Sequence, residues 1–293
     1  MKKQIIILFT GLTLLSSCYD AMNEVPLERM PPEIAFKDSL KVEMFVNELY
    51  VGLNTGIGGY NSFGGGAANQ NSFFDCVTDL GVLSPRGTNT AINSFTGATF
   101  HSGSGGNTDS RWAQVYQYMR KTNVVLEYIH YCEQLSQAKM AQYVGEAKLH
   151  KALLHYEMLK RYGGITIMDD LFAGGNIELP RNTFDECVEY IVRLCEEAAG
   201  GLPLRYPDND YGRLTKGAAL GLKAKVLLYA ASPLFNENPI AGTTEIQRYA
   251  SPDDRRWERA AKAALDVINL RMPNGAPAYE LFPSYERLFF TRE

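Results

Sequence analysis

The stretch Glu146–Asp169, reading EAKLHKALLHYEMLKRYGGITIMD, constrains this chain more than any other. Its first half carries Ala147, Leu149, Ala152, Leu153, Leu154, Met158 and Leu159 with no proline or glycine, a dense set of helix formers. Carried back to Met140, the apolar residues Met140, Val144, Ala147, Leu154 and Met158 recur at helical spacing and mark one buried face, which Lys151 interrupts. Lys160 and Arg161 lie in the last turn, where positive charge suits the helix dipole, and Gly163-Gly164 then stops the helix. Ile165–Met168 follows as a short extended apolar run that ends at Asp169-Asp170. Such a helix cannot stand alone in water and needs partners on its apolar face.

The N-terminus reads as an address rather than as part of the fold. Lys2 and Lys3 precede the mostly apolar Ile5–Leu15, which is too short to cross a bilayer as a stable helix. Leu15-Ser16-Ser17-Cys18 resembles a bacterial lipoprotein processing box, in which Cys18 would carry the lipid; an ordinary secretory signal is the alternative. Several acyl chains on one residue anchor stably where one does not. Residues 1–17 are thus expected to be a lipoprotein signal peptide and 18–37 a lipid-anchored tether, polar and carrying Pro26, Pro31 and Pro32. No later segment is apolar for long enough to span a membrane.

Residues 38–293 are expected to form one domain, interrupted by an irregular insertion at 54–110. A first helix runs from Ser39 to Leu53, capped by Asp38 or Ser39, with Leu40, Met44, Val46, Leu49 and Leu53 as its stripe. The insertion is rich in Gly, Asn, Ser and Thr, with scattered aromatics and almost no periodicity. Long irregular segments are usually functional or disordered, and the aromatics argue for function. Its Gly56–Gly66 run lacks the Gly-Lys-Ser/Thr ending of a phosphate loop.

Helices follow end to end. Trp112, Val115, Tyr116, Met119, Leu126 and Ile129 form a stripe in which Asn123 is read as a buried hydrogen-bonding residue. The central helix begins near Gln137. Thr183 and Glu186 form a capping box ahead of Val188, Ile191, Val192, Cys195 and Ala198, and that helix stops at Gly200-Gly201. Thr215 caps a helix with a wide apolar surface from Ala218 to Tyr229. Ser251-Pro252-Asp253-Asp254 reads as another start, with Trp257, Ala260, Ala261, Ala264, Leu265 and Ile268 facing inward. Paired helices with Trp112-x3-Tyr116 and Ala152-x3-Tyr156 resemble tetratricopeptide repeats. The predicted fold is all-α, a superhelix of helical hairpins with long irregular loops.

Taken in order, these segments resemble the SusD/RagB family of nutrient-binding lipoproteins of the Bacteroidetes outer membrane. The resemblance rests on the box at Cys18, Leu49-Tyr50, Trp112–Leu126, and Gly145-Glu146-Ala147 leading to Arg161-Tyr162-Gly163-Gly164. It continues through Arg181-x-Thr183, Arg213-Leu-Thr-Lys216 and Trp257–Ile268. Asp20 and Glu24 resemble the acidic surface-export signals of such lipoproteins. Family members continue well past Leu288–Glu293, so an N-terminal portion is expected. The resemblance implies a cell-surface glycan-binding protein that delivers an oligosaccharide to a SusC-type TonB-dependent transporter. Its ligand contacts are expected in the insertion, at Tyr60, Phe73, Asp79, Arg86, Asn93 and Phe100, where aromatic faces stack on sugar rings and polar groups meet hydroxyls.

The residues offer no catalytic set. His101, His130, His150 and His155 make no zinc spacing, and the adjacent pairs Asp169-Asp170, Glu196-Glu197 and Asp253-Asp254 point apart rather than across a sugar. No Gly-x-Ser-x-Gly elbow occurs. Cys76, Cys132, Cys187 and Cys195 read as core thiols. A net charge of -4 gives no nucleic-acid footprint. The expectation is therefore a binding protein without cofactor, metal or nucleic-acid partner. Peptide capture and a helical-repeat adaptor for a protein partner remain as alternatives, and a secreted hydrolase lacks its catalytic residues.

Overall fold

The structure is a computed structural model that describes residues 30–52, 79, 112–171, 178–237, 241–288 and 290. Six long helices organise them: α1 (Ser39–Val51), α2 (Trp112–Tyr128), α3 (Gln137–Tyr162), α4 (Phe184–Gly201), α5 (Lys216–Ala231) and α6 (Arg255–Ile268). No strand occurs among the described residues; an isolated bridge joins Arg271 to Pro277. The helices pack in chain order, α2 on α3, α3 on α4, α4 on α5 and α5 on α6, while α1 lies across α2 and α3. This is the predicted all-α stack of helical hairpins, each consecutive pair burying the stripe the previous one leaves open.

Local chemistry sets the helix starts. Asp38 accepts from the backbone N–H groups of Leu40 and Lys41, Ser136 from that of Lys139 and Thr215 from that of Ala218. The Thr183–Glu186 capping box is complete, with Thr183 Oγ1 accepting from Glu186 N at 3.2 Å and Glu186 Oε2 accepting from Thr183 N at 2.8 Å. The start of α6 differs from the sequence reading. Asn236 clamps the backbone of Asp253 on both sides, at 3.0 and 2.9 Å. The chain therefore turns helical only at Arg255, and the Asp253 carboxylate, not Ser251, receives the Arg255 amide.

Three stripes are also displaced. In α1 the buried residues are Val42, Val46 and Leu49, whereas Leu40 and Met44 face solvent. In α6 only Ala260 and Ala263 are buried, so small residues set a close approach to α5 while Trp257, Leu265 and Ile268 lie exposed. Trp112, expected inside, is 37% exposed. Residues 32–35, at the end of the stretch read as tether, form a helical turn, and Phe36 beyond it is fully buried.

The main core fills the space between α2, α3, α4 and α5, closed at one end by Phe184, Phe235 and Tyr249, whose rings stack or meet edge-on within 5.2 Å. A smaller core under α1 joins Phe36, Val42, Val46 and Leu49 to Val125, Ile129 and Tyr143. α3 touches both, which is why it is buried on nearly every side.

The glycine stop is a packing device. Gly163 sits at φ 71°, and a Cβ there would come within 2.4 Å of the Ile246 carbonyl oxygen; at Gly164 it would come within 2.1 Å of that of Asn182. Gly164 N–H donates to Ile246 O at 2.6 Å, tying the end of α3 to the loop before α6. Gly164→Ala is expected to cost on the order of 2–4 kcal/mol of stability, because the backbone of residues 182–184 must move, with the loss read by urea unfolding.

Candidate functional site

Two polar centres sit along α3. In the first, Glu146 is completely buried and its carboxylate is fully engaged. Gln142 Nε2 (2.8 Å) and the Tyr206 hydroxyl (3.2 Å) meet Oε1, while the Tyr50 hydroxyl (2.9 Å) and Arg213 Nη1 (2.8 Å) meet Oε2. Arg213 also donates to Asp210 at 2.9 Å and Asn47 at 2.7 Å, and Tyr50 in turn accepts the Leu214 amide. Burial, then the Glu146 charge, pushes the Tyr50 phenol well above its ordinary range, so it stays a donor. The cluster satisfies every group it buries, which suits a structural clasp rather than a reactive centre.

In the second, Lys151 is buried and its ammonium meets Asp169 Oδ1 at 2.5 Å, so the residue that interrupts the stripe is paired. The Tyr190 hydroxyl donates to the same oxygen, and Arg193 lies 3.9 Å from Oδ2. Burial pulls the Lys151 ammonium below its ordinary range; burial pushes Asp169 the other way, but its hydrogen bonds from Lys151 and Tyr190 hold it low. Nearby, Asn123 is buried and donates to Met168 O at 3.0 Å, the structural role read for it. Cys187 Sγ lies 3.3 Å from the amide and 3.4 Å from the carbonyl of Ile165. Cys132, Cys187 and Cys195 are buried free thiols.

Two features at the other end of the bundle are open to solvent. A cavity of about 540 Å³ between α4 and α6 is lined by Asp185, Glu189, Tyr249, Arg256, Arg259 and Lys262 among others. Its charges largely cancel: Arg259 forks onto Glu189, Arg255 onto Asp253, and the Arg256 guanidinium covers the Tyr249 ring at 3.5 Å. Beside the end of α3, Trp112 meets Tyr162 edge-on at 5.2 Å and Tyr116 at 5.3 Å, with the Arg181 guanidinium 5.9 Å from its ring.

Of the residues expected to bind ligand, Asp79 is described and is exposed. Tyr60, Phe73, Arg86, Asn93 and Phe100 lie outside the described residues, as does Cys18. Among the described residues no group of three His, Cys, Asp or Glu is placed to hold a metal, and no helix is long and apolar enough to cross a membrane. The sequence reading gave Glu146 no role of its own, took Lys151 only as a break in the apolar stripe, and placed Trp112 in the core. The charged pair on a helix otherwise rich in Leu and Ala was the available signal for the first two.

The family described as starch-binding associating with outer membrane matches residues 27–228. The chain belongs to this SusD-like family. A SusD-like protein, P25, of Formosa agariphila is 23% identical over 235 residues, 77% of this chain and 43% of its own length. A crystal structure of a SusD-like protein from Bacteroides fragilis matches with a TM-score of 0.53 and 24% identity, over 83% of this chain and 40% of that one. A laminarin-binding SusD-like protein matches with a TM-score of 0.60 and 16% identity, over 87% and 48% of the two chains. The SusD-like chain thus spans less than half the length of each of these relatives.

Two consequences are measurable. Glu146→Ala removes the buried partner of Arg213, Gln142 and two tyrosine hydroxyls, leaving Arg213 with Asp210 and Glu43, and is expected to cost about 3 kcal/mol in denaturant unfolding. His150 and His155 are fully buried, and burial pushes their pKa values down to about 3 and about 4, below the 6.5 of an exposed histidine. The unfolded chain therefore takes up protons that the folded chain refuses. Stability is full above pH 6.5 and falls below it, by up to about 1.4 kcal/mol per pH unit for each histidine. Replacing both by Leu is expected to flatten that fall between pH 6.5 and 4 in thermal unfolding.

Proposed function

We propose that this SusD-like chain is a non-catalytic, lipid-anchored outer-membrane protein that captures an oligosaccharide and passes it to a SusC-type TonB-dependent transporter. The observation that carries the reading is the family match over residues 27–228, a family described as starch-binding and associating with the outer membrane. The lipoprotein box at Cys18 supports the anchor, with the chain held at the membrane by acyl groups rather than by a spanning helix. A solved neighbour that binds laminarin supports a glycan as ligand. Capture relies on stacking of sugar faces on aromatic rings, with hydroxyls meeting polar side chains. Affinity is modest because well-hydrated hydroxyls must be stripped of water. The ligand residues proposed are Tyr60, Phe73, Asp79, Arg86, Asn93 and Phe100.

One observation favours a second reading. The exposed apolar stripe of Trp257, Leu265 and Ile268 on α6 is the kind of face a helical-repeat adaptor presents to a protein partner.

A glycan array followed by calorimetry separates them. Binding of a neutral oligosaccharide, weakened when Phe73 and Phe100 are changed to Ala in a chain that still unfolds cooperatively, is the expected result. Co-purification of the lipidated chain with a large barrel transporter is expected alongside it. A well-folded chain that binds no glycan, yet retains one protein partner lost on Leu265→Asp, supports the adaptor instead.

A further inference from the structure

We propose that Trp112, together with Arg181, forms a sugar-stacking subsite at the end of the helical bundle; the proposal rests on the glycan-binding reading above. Trp112 is the first residue of α2, directly after the Gly- and Asn-rich insertion. Its indole is 37% exposed, yet it is held on several sides. Tyr162 meets it at an interplanar angle of 88°, Tyr116 lies 5.3 Å away, and the Arg181 guanidinium stands 5.9 Å from the ring centroid.

Tyr116 and Arg181 are themselves tied to backbone. The Tyr116 hydroxyl donates to Thr166 O at 2.9 Å. Arg181 Nε donates to Gly164 O at 2.7 Å, and its Nη2 donates to the Tyr162 carbonyl. Gly163-Gly164 brings these carbonyls together at the end of α3, so one turn positions both the ring and the guanidinium.

This arrangement matches what a pyranose needs. The C–H face of a sugar packs on the indole, and the neighbouring hydroxyls accept from the outward N–H groups of the guanidinium. A ring already fixed loses little side-chain freedom when a ligand arrives, and that is where much of the cost of a weak stacking contact lies. Trp257 shows the contrast. It is 44% exposed, but it carries no ring or guanidinium brace among the described residues and shares its face with Leu265 and Ile268. Trp257 has the surroundings of a packing surface, and Trp112 those of a polar, oriented platform.

The chain holds 2 Trp, so Trp257→Phe leaves Trp112 as the sole indole reporter. The full chain with that change is titrated with malto- and laminari-oligosaccharides, following heat, Trp emission and acrylamide quenching together. The expected result is that an oligosaccharide that releases or absorbs heat also shifts Trp112 emission and shields it from acrylamide. Trp112→Ala and Arg181→Met are each expected to weaken binding by about three- to tenfold, with Trp112→Phe in between. Calorimetric binding with unchanged Trp112 emission and quenching overturns the subsite and leaves glycan capture standing. Absence of binding to any oligosaccharide by a cooperatively folded chain overturns both. Loss of affinity in Trp112→Ala with full affinity in Arg181→Met and no quenching change assigns Trp112 to packing and also overturns the subsite.

Discussion

The Glu146–Arg213 contact is the interaction on which the arrangement of this chain depends. A carboxylate without solvent exposure is tolerated only when every lone pair finds a donor, and here the donors come from elements far apart in sequence. Tyr50 belongs to α1, Gln142 to α3, and Tyr206 and Arg213 to the connection between α4 and α5. None of these elements can shift without stranding a charge. The apolar stripes make the helices stick, and any of several registers would bury similar area; the clasp distinguishes among them. Buried polar groups are a weak source of net stability but a sharp source of register when fully satisfied, and this cluster is fully satisfied.

The central helix illustrates why its composition is mixed. α3 lies between α2 and α4 and under α1, so it has almost no solvent face on which to place charge. Its charged residues survive by being paired: Glu146 with Arg213, Lys151 with Asp169. Its histidines survive by staying neutral. The two pairs point in different directions, one toward the α4–α5 connection and one toward the extended run that follows the helix. α3 is in effect pinned at two heights along its axis. The unpartnered ring nitrogens of His150 add nothing to that pinning, and the fold carries them as a cost that grows in acid.

How much of this was legible follows from the range of the forces involved. The caps at Asp38, Thr183 with Glu186, and Thr215 were readable because a cap is decided within a few residues of chain. The helical nature of every long element was readable for the same reason. The start of α6 was not, because the Asn236 clamp reaches Asp253 from a distant turn and overrides a good local start signal at Ser251. The stripes of α1 and α6 were misjudged because periodicity gives an amphipathic face but not which neighbour covers it. On α6 the close approach to α5 selects Ala260 and Ala263 over the larger Leu265. Trp112 was read as core for its spacing, and its half-open, braced setting depends on Arg181 and Tyr162, which only the folded chain brings beside it. Of the ligand residues read from the insertion, the described structure reaches Asp79 alone.

The bundle divides its labour between its two ends. At one, Glu146 and its partners bury their charges and leave no polar group free to meet a ligand. At the other, Arg181 donates to the Gly164 and Tyr162 carbonyls of the turn after α3, the Tyr116 hydroxyl donates to Thr166 O, and Tyr162 meets the Trp112 indole edge-on. Rigidity at the first end keeps the second tightly packed: Gly163 and Gly164 lie so near the backbone of residues 246 and 182 that a Cβ would not fit, and α3 cannot slide away from that contact. The stacking subsite proposed for this end needs side chains that are both exposed and immobile, two properties that oppose each other on an ordinary surface. A helix clamped at its far end, and cut short by a turn that only glycine can make, reconciles them.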